Sequence, residues 1–191
     1  MSERSRSGVR LVAGRLGGRR LPVPWGVRPT EGRVREALFS IWTERIPESV
    51  FLDLFAGSGA VAVEAVSRGA RHAVLVEGED RATRALAETL RHLRVETLRL
   101  LDLRLPRGLA DRRLIAEAPF DLVFADPPYR FTSYPALLQG IAPLLAGDGE
   151  VAIEHSGEVD LPPEILGRGA ILIRREVRRY GGTRLSFYRG A

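Results

Sequence analysis

At 191 residues and 45% apolar composition, the chain suits one domain, or one domain with a small appendage, able to bury roughly 70% of its unfolded surface without covalent staples. It holds no cysteine, which excludes disulfides, thiolate metal sites and cysteine nucleophiles, and no apolar run near the roughly 20 residues of a membrane span, so a soluble, cytoplasmic protein is expected. Its formal charge of +5 is uneven: nine arginines against Glu3 and Glu31 put +7 on residues 1–35 and leave −2 on the rest, the footprint of a nucleic-acid-binding arm on a near-neutral body.

The opening residues, MSERSRSGVR, lack the apolar stretch of a signal peptide. VRLVAGRLGGRRLPVP then predicts two short strands about a Gly-rich turn. Apolar Val9, Leu11, Val12, Leu16, Leu21 and Val23 between the charges favour an ordered contact with nucleic acid over a solvated tail. Arg10, Arg15, Arg19, Arg20, Arg28, Arg33 and Arg35 are the expected contacts. RPTEGRVREALFSIW reads as a helix beginning near Thr30, a good N-cap, with Val34, Leu38, Ile41 and Trp42 at helical spacing. Residues 1–47 are therefore expected to form a basic extension to a main domain over 48–191.

From there strands and helices alternate. VFLDLF is a buried strand, SGAVAVEAVSRGA a helix ended by Gly69, HAVLVEGE a strand and DRATRALAETLRHL an amphipathic helix. ETLRLLD and FDLVFAD are the third and fourth strands, YPALLQGIAPLL a helix kinked at Pro143, and GEVAIEH the fifth strand. The tail closes in two β-rich runs joined by Gly181-Gly182, an antiparallel hairpin. Alternation implies a parallel sheet with helices on both faces, and the hairpin adds antiparallel strands to it. The combination resembles the α/β, Rossmann-like class I methyltransferase fold, with a mostly parallel sheet of seven strands, whereas a nicotinamide-binding domain normally continues with parallel strands. The chain has no Lys and no Asn, and Gln139 is its one Gln. Few thermolabile amides fit a thermophile, while Arg in place of Lys equally fits a biased genome composition.

LDLFAGSGAVAVEA places Gly57 and Gly59 between a strand and a helix, where the backbone can approach a ligand and the helix N-terminus offers unsatisfied N–H groups. Gly57 to Ala62 matches G-x-G-x-x-A, and Glu77 follows 20 residues after Gly57 at the end of the next strand, placed to accept ribose hydroxyls. This geometry serves both NAD and S-adenosylmethionine (SAM). Asp53 favours SAM, because a carboxylate attracts a sulfonium and an ammonium and repels a pyrophosphate. Asp102 ends the third strand, where it would either accept from an adenine amine or stand exposed as a strand-end charge.

In FDLVFADPPYRF two prolines stop the strand and leave one carboxylate and one ring in a stiff loop. The fourth strand lies beside the first in this fold class, so the loop would sit next to the glycines at the ligand-binding edge. An exocyclic base amine is a poor nucleophile but a good double donor. Asp126 and the Pro127 carbonyl would accept its two hydrogens and Tyr129 would stack on the base. His72, His92 and His155 are too scattered to suggest a metal site and read as structural or surface residues. Tyr180 with Arg174, Arg175, Arg178 and Arg179 either extends a nucleic-acid surface or blunts an edge strand.

RPTEGRVREALF, LDLFAGSGAVAVEAVSRGA, VLVE, DLVFADPPY and YGGTRLSFY together resemble the RsmD-type family of bacterial 16S ribosomal RNA guanine-N2 methyltransferases, from about Val9 to the C-terminus. DPPY alone would also suit N6-adenine methyltransferases of DNA or RNA. The resemblance implies SAM-dependent methylation of one guanine in a small-subunit rRNA loop near the P site, on assembled or partly assembled subunits, by a monomer without a metal. It implies that Asp53, Phe55, Ala56, Gly57, Gly59 and Glu77 contact SAM and that Asp126, Pro127 and Tyr129 hold the target base. Arg28 and Thr30 belong to the N-terminal block flanking that pocket, with Thr30 implied as a further SAM contact. Thr89 stands where relatives tend to carry Asn.

Overall fold

The computed structural model describes residues 8–23, 32–167 and 169–191. The predicted hairpin is formed by Gly8–Arg10 (β1) and Arg20–Pro22 (β2), antiparallel with Val9 opposite Leu21. The first helix, α1, covers Gly32–Ile41; its expected cap at Thr30 and the neighbouring Arg28 lie outside the described residues. Its stripe of Val34 and Leu38, with Phe39 and Trp42, is buried.

Beyond it follow β3 (Val50–Leu54), α2 (Ala60–Ser67), β4 (His72–Glu77), α3 (Asp80–Leu93), β5 (Leu98–Asp102), α4 (Arg112–Ile115), β6 (Phe120–Ala125), α5 (Tyr134–Ile141), β7 (Leu145–Ser156), β8 (Glu164–Leu166), β9 (Ile171–Tyr180) and β10 (Thr183–Gly190). Strands β3 to β10 make one sheet in the order β5-β4-β3-β6-β7-β10-β9-β8. The pairs from β5 to β7 are parallel and the C-terminal hairpin is antiparallel, β10 lying against β7. Among the described residues the sheet thus has eight strands where seven were expected. The additional β8 is three residues at the edge, too short to show a period of two in the sequence. Pro143 does not kink a longer helix: α5 ends at Ile141 and Ala142–Leu144 form a single 3₁₀ turn, since proline has no N–H to continue the ladder.

Alternation splits the core between the two faces of the sheet. Leu52, Leu54, Val123 and Ile153 pack with α5, while Phe51, Phe124, Ala152 and Phe187 pack with α1 and α2. The N-terminal hairpin joins this body through Leu11, Leu16 and Leu21, buried against Ala60 and Val63. Its turn is seated on Ser67: Arg15 N donates to the Ser67 carbonyl at 2.9 Å and Leu16 N to Ser67 Oγ at 2.8 Å. Gly14, at φ +78°, sits so close that a Cβ would come within 1.8 Å of that carbonyl, so only glycine fits.

Arg35 departs from the expectation of nucleic-acid contact. It is 4% exposed, its Nε donates to Glu64 Oε2 at 3.0 Å, and its Nη2 donates to the Arg10 carbonyl at 2.8 Å. Glu64, fully buried on α2, also accepts from Arg68 at 2.7 Å. A buried charge needs a partner, and this arginine is spent on tying α1 and the hairpin to α2.

Candidate active site

A cavity of about 1000 Å³ opens at the C-terminal ends of β3, β4, β6 and β7. One wall is the turn from β3 into α2. Phe55 at φ +62°, Gly57 at +53° and Gly59 at +73° all adopt the left-handed conformation, which reverses the chain sharply. At Gly59 a Cβ would lie 2.6 Å from Leu86 Cδ1, so glycine lets α3 close against the turn. Phe55 has no such freedom, and its strained backbone is braced by its ring, 5.3 Å from Phe131, which in turn meets Tyr134 at 5.1 Å.

Glu77 does more than end its strand. Its Oε2 accepts from Gly57 N at 2.9 Å, and its Oε1 accepts from Gly78 N and Glu79 N, both at 2.9 Å. A carboxylate has about four acceptor positions, so three backbone donors leave about one for a ligand hydroxyl. Asp53 is buried, its Oδ2 accepting from Ala62 N at 3.1 Å. Desolvation pushes its carboxyl up to about 8; the Ala62 N–H opposes this, and the Asp126 and Glu77 charges reinforce it. A cationic ligand relieves this crowding of acids, which is the charge SAM carries, so the wall fits that cofactor. Ala56 N donates to the Val76 carbonyl at 3.0 Å, and Phe55, Ala56 and Gly57 all line the cavity.

The opposite wall is the proline turn. Asp126 N donates to the Leu54 carbonyl at 3.4 Å, extending the β3–β6 ladder, and Phe131 N closes the turn on the Pro128 carbonyl at 2.7 Å. Asp126, Pro127 and Tyr129 all line the cavity, with Pro127 buried and Tyr129 81% exposed at its rim. Residues 53, 55–58, 77 and 126–129 are therefore brought to one cavity, while Gly59 shapes the turn from outside its lining.

Asp102 is not. It pairs with Glu77 in register and shares its face, yet it ends the edge strand β5, one strand further out, where it is exposed and outside the cavity lining; the wall at that point is Leu103 and Leu105. Arg28 and Thr30 fall outside the described residues. Arg10, Arg15, Arg19, Arg20 and Arg33 are exposed on the hairpin and α1. Among the described residues no group of three or more His, Asp or Glu is arranged to hold a metal ion.

Sequence reasoning passes over Tyr134 and Glu154 and reads His155 as structural, yet all three line the cavity. His155 is buried, its Nε2 2.8 Å from Ser186 Oγ and its Nδ1 2.9 Å from the Ser156 carbonyl. Burial lowers its pKa, which favours a neutral ring. The signal was the Glu-His pair near the C-terminal end of β7, the strand next to β6, which leads into Asp126.

A family model described as Conserved hypothetical protein 95 matches residues 9–189. The chain is 37% identical over 148 residues to the ribosomal RNA small subunit methyltransferase D of Escherichia coli, covering 76% of this chain and 71% of that one. It is 33% identical over 189 residues to the Bacillus subtilis protein YlbH, covering 95% and 98%. Among solved structures, a hypothetical protein of Thermus thermophilus superposes with a TM-score of 0.78 at 33% identity over 94% of this chain and 98% of that one. The E. coli protein yhhF gives 0.80 at 29% identity over 96% and 98%.

Proposed function

The chain belongs to the RsmD-type family of ribosomal RNA methyltransferases, and from that premise we propose that it methylates the exocyclic N2 amine of a guanine in small-subunit (16S) rRNA, with SAM as methyl donor. The observation that carries this reading is the fixing of Asp126 and Pro127 across one cavity from the turn braced by Glu77. SAM, when bound, supplies an activated methyl group on a sulfonium and leaves as S-adenosylhomocysteine.

The chain's own residues hold and align. Asp53, Glu77 and the 55–59 turn bind the cofactor, Glu77 through a ribose hydroxyl and Asp53 through its match to the positive charge. The Asp126 carboxylate and the Pro127 carbonyl accept the two hydrogens of the target amine. That contact pulls the nitrogen lone pair out of conjugation and points it at the methyl. Alignment of this kind is worth roughly 7–11 kcal/mol, and stabilisation of the positive charge developing on nitrogen by one oriented acceptor adds about 3 kcal/mol, so positioning outweighs acid–base chemistry. One N–C bond forms as one S–C bond breaks, and the amine proton then leaves through Asp126 or to water. Tyr129, exposed at the rim, stacks on the base, and the arginines of residues 1–47 contact phosphates beside the catalytic domain of 48–191. The protein works as a cytoplasmic monomer on assembled or partly assembled small subunits.

The test is transfer of labelled methyl from SAM to undermodified small subunits, followed by nucleoside analysis. N2-methylguanosine from the native protein and its loss with Asp126→Ala are expected. N6-methyladenosine as the product, or substantial activity left in Asp126→Ala, would overturn the assignment.

A further inference from the structure

Two acceptors, the Asp126 carboxylate and the Pro127 carbonyl, face the target amine in this reading, and a second carboxylate lies next to them. Strands β6 and β7 are parallel, and their last register pair is Ala125 with Ile153, so Asp126 and Glu154 follow as neighbours at two adjacent strand ends, about 4.8 Å apart across the ladder. Phe124 and Ala152, two residues earlier, both pack on the α1 and α2 side, and strand alternation turns Asp126 and Glu154 to that same side. Glu154 is 8% exposed and lines the same cavity as Asp126, Pro127 and Tyr134.

The two purines differ at the atom adjacent to the amine-bearing carbon. Guanine offers N1–H beside its N2 amine, two neighbouring donors, whereas adenine offers a bare N1 lone pair beside its N6 amine. A row of acceptors fits the first edge and repels the second. Resting on the guanine-N2 reading above, we propose that Glu154 selects guanine by accepting the N1–H of the target base while Asp126 and Pro127 hold N2. The hydrogen bond is charge-assisted, and a base with an unprotonated N1 would oppose a lone pair to a buried carboxylate.

The experiment compares small subunits reconstituted with guanine or with 2-aminopurine at the mapped target position; 2-aminopurine keeps the amine but has an unprotonated N1. The native protein is expected to methylate 2-aminopurine at least about 100-fold less efficiently in kcat/KM, since a site built for a hydrogen bond strongly rejects the analogue lacking it. Glu154→Gln, whose amide can donate to a bare N1, is expected to bring the two substrates within about tenfold by losing on guanine and gaining on 2-aminopurine, with SAM affinity unchanged by calorimetry. A merely structural Glu154 would lower both rates together. Equal methylation of the two bases by the native protein, or an unchanged ratio in Glu154→Gln, overturns the proposal. Failure of the native protein to make any N2-methylguanosine would instead overturn the guanine-N2 reading on which it rests.

Discussion

Glu77 accepts a hydrogen bond from Gly57 N at 2.9 Å, joining the end of β4 to the turn after β3 through one carboxylate. Because the same side chain also holds Gly78 N and Glu79 N, it sets the shape of two loops at once. Glu77→Gln keeps one acceptor oxygen and turns the other into a donor facing backbone N–H groups. Cofactor binding is expected to weaken about tenfold to 100-fold by calorimetry, with a stability loss of about 1–3 kcal/mol in chemical denaturation. Unchanged SAM affinity in a folded Glu77→Gln would remove the bracing role.

Asp53 makes the unliganded protein sensitive to pH. Its carboxyl is pushed up from 3.8 to about 8 by burial, so the native state binds a proton that the unfolded state releases. Stability from this group is complete below about pH 4 and falls as pH rises toward 8, by about 1.4 kcal/mol per pH unit inside that window. Asp53→Asn removes the dependence. The difference in melting temperature between Asp53→Asn and the native protein, read at matched pH from 5 to 8, should therefore grow in favour of the variant. A constant difference would show that Asp53 does not titrate in this window.

Arg35 is expected to matter for folding rather than for RNA. Arg35→Leu leaves Glu64 buried with Arg68 as its remaining partner, a loss of about 3–5 kcal/mol on the scale of breaking a buried pair, read as a lower denaturation midpoint. A change of less than about 1 kcal/mol would argue that the pair is dispensable.

The exposed hairpin arginines behave oppositely. Arg15→Ala and Arg19→Ala should leave the denaturation midpoint near its native value while reducing the salt dependence of rRNA binding, by about one unit of log–log slope for each phosphate contact removed. Identical slopes for the native and doubly substituted proteins would place the RNA elsewhere.

Tyr129 is 81% exposed, so its replacement should not disturb the fold. Tyr129→Phe is expected to keep full activity, and Tyr129→Ala to raise KM for the small subunit by about tenfold, as loss of one stacking platform does. A Tyr129→Phe variant as impaired as Tyr129→Ala would assign the hydroxyl, not the ring, to the reaction.

Much of the site is legible along the chain because its chemistry is local. A left-handed turn between strand and helix demands glycine at position 59, and two prolines must end the strand before them. Both features act within a few residues, so Gly57, Gly59, Asp126 and Pro127 stand out without any structure. Periodicity likewise predicts the alternation of strands and helices and hence the parallel sheet. The three-residue β8 escapes because no period can be read over so short a run.

What only the tertiary structure decided concerns charges whose meaning depends on distant neighbours. Arg35 looks like any other arginine of a basic arm until Glu64, 29 residues on, is packed against it in the buried interior. Asp102 looks like a site residue until the strand order puts β5 at the edge of the sheet and leaves it exposed, and Glu154 attracts no notice until the β6–β7 register sets it beside Asp126. The chain by itself determined the long strands and helices, the glycine turn and the proline loop, because torsional preference and hydrophobic period act locally. Which carboxylates and guanidiniums lose their water, and against whom, was decided by packing, since desolvation belongs to the assembled interior and not to any segment of the chain.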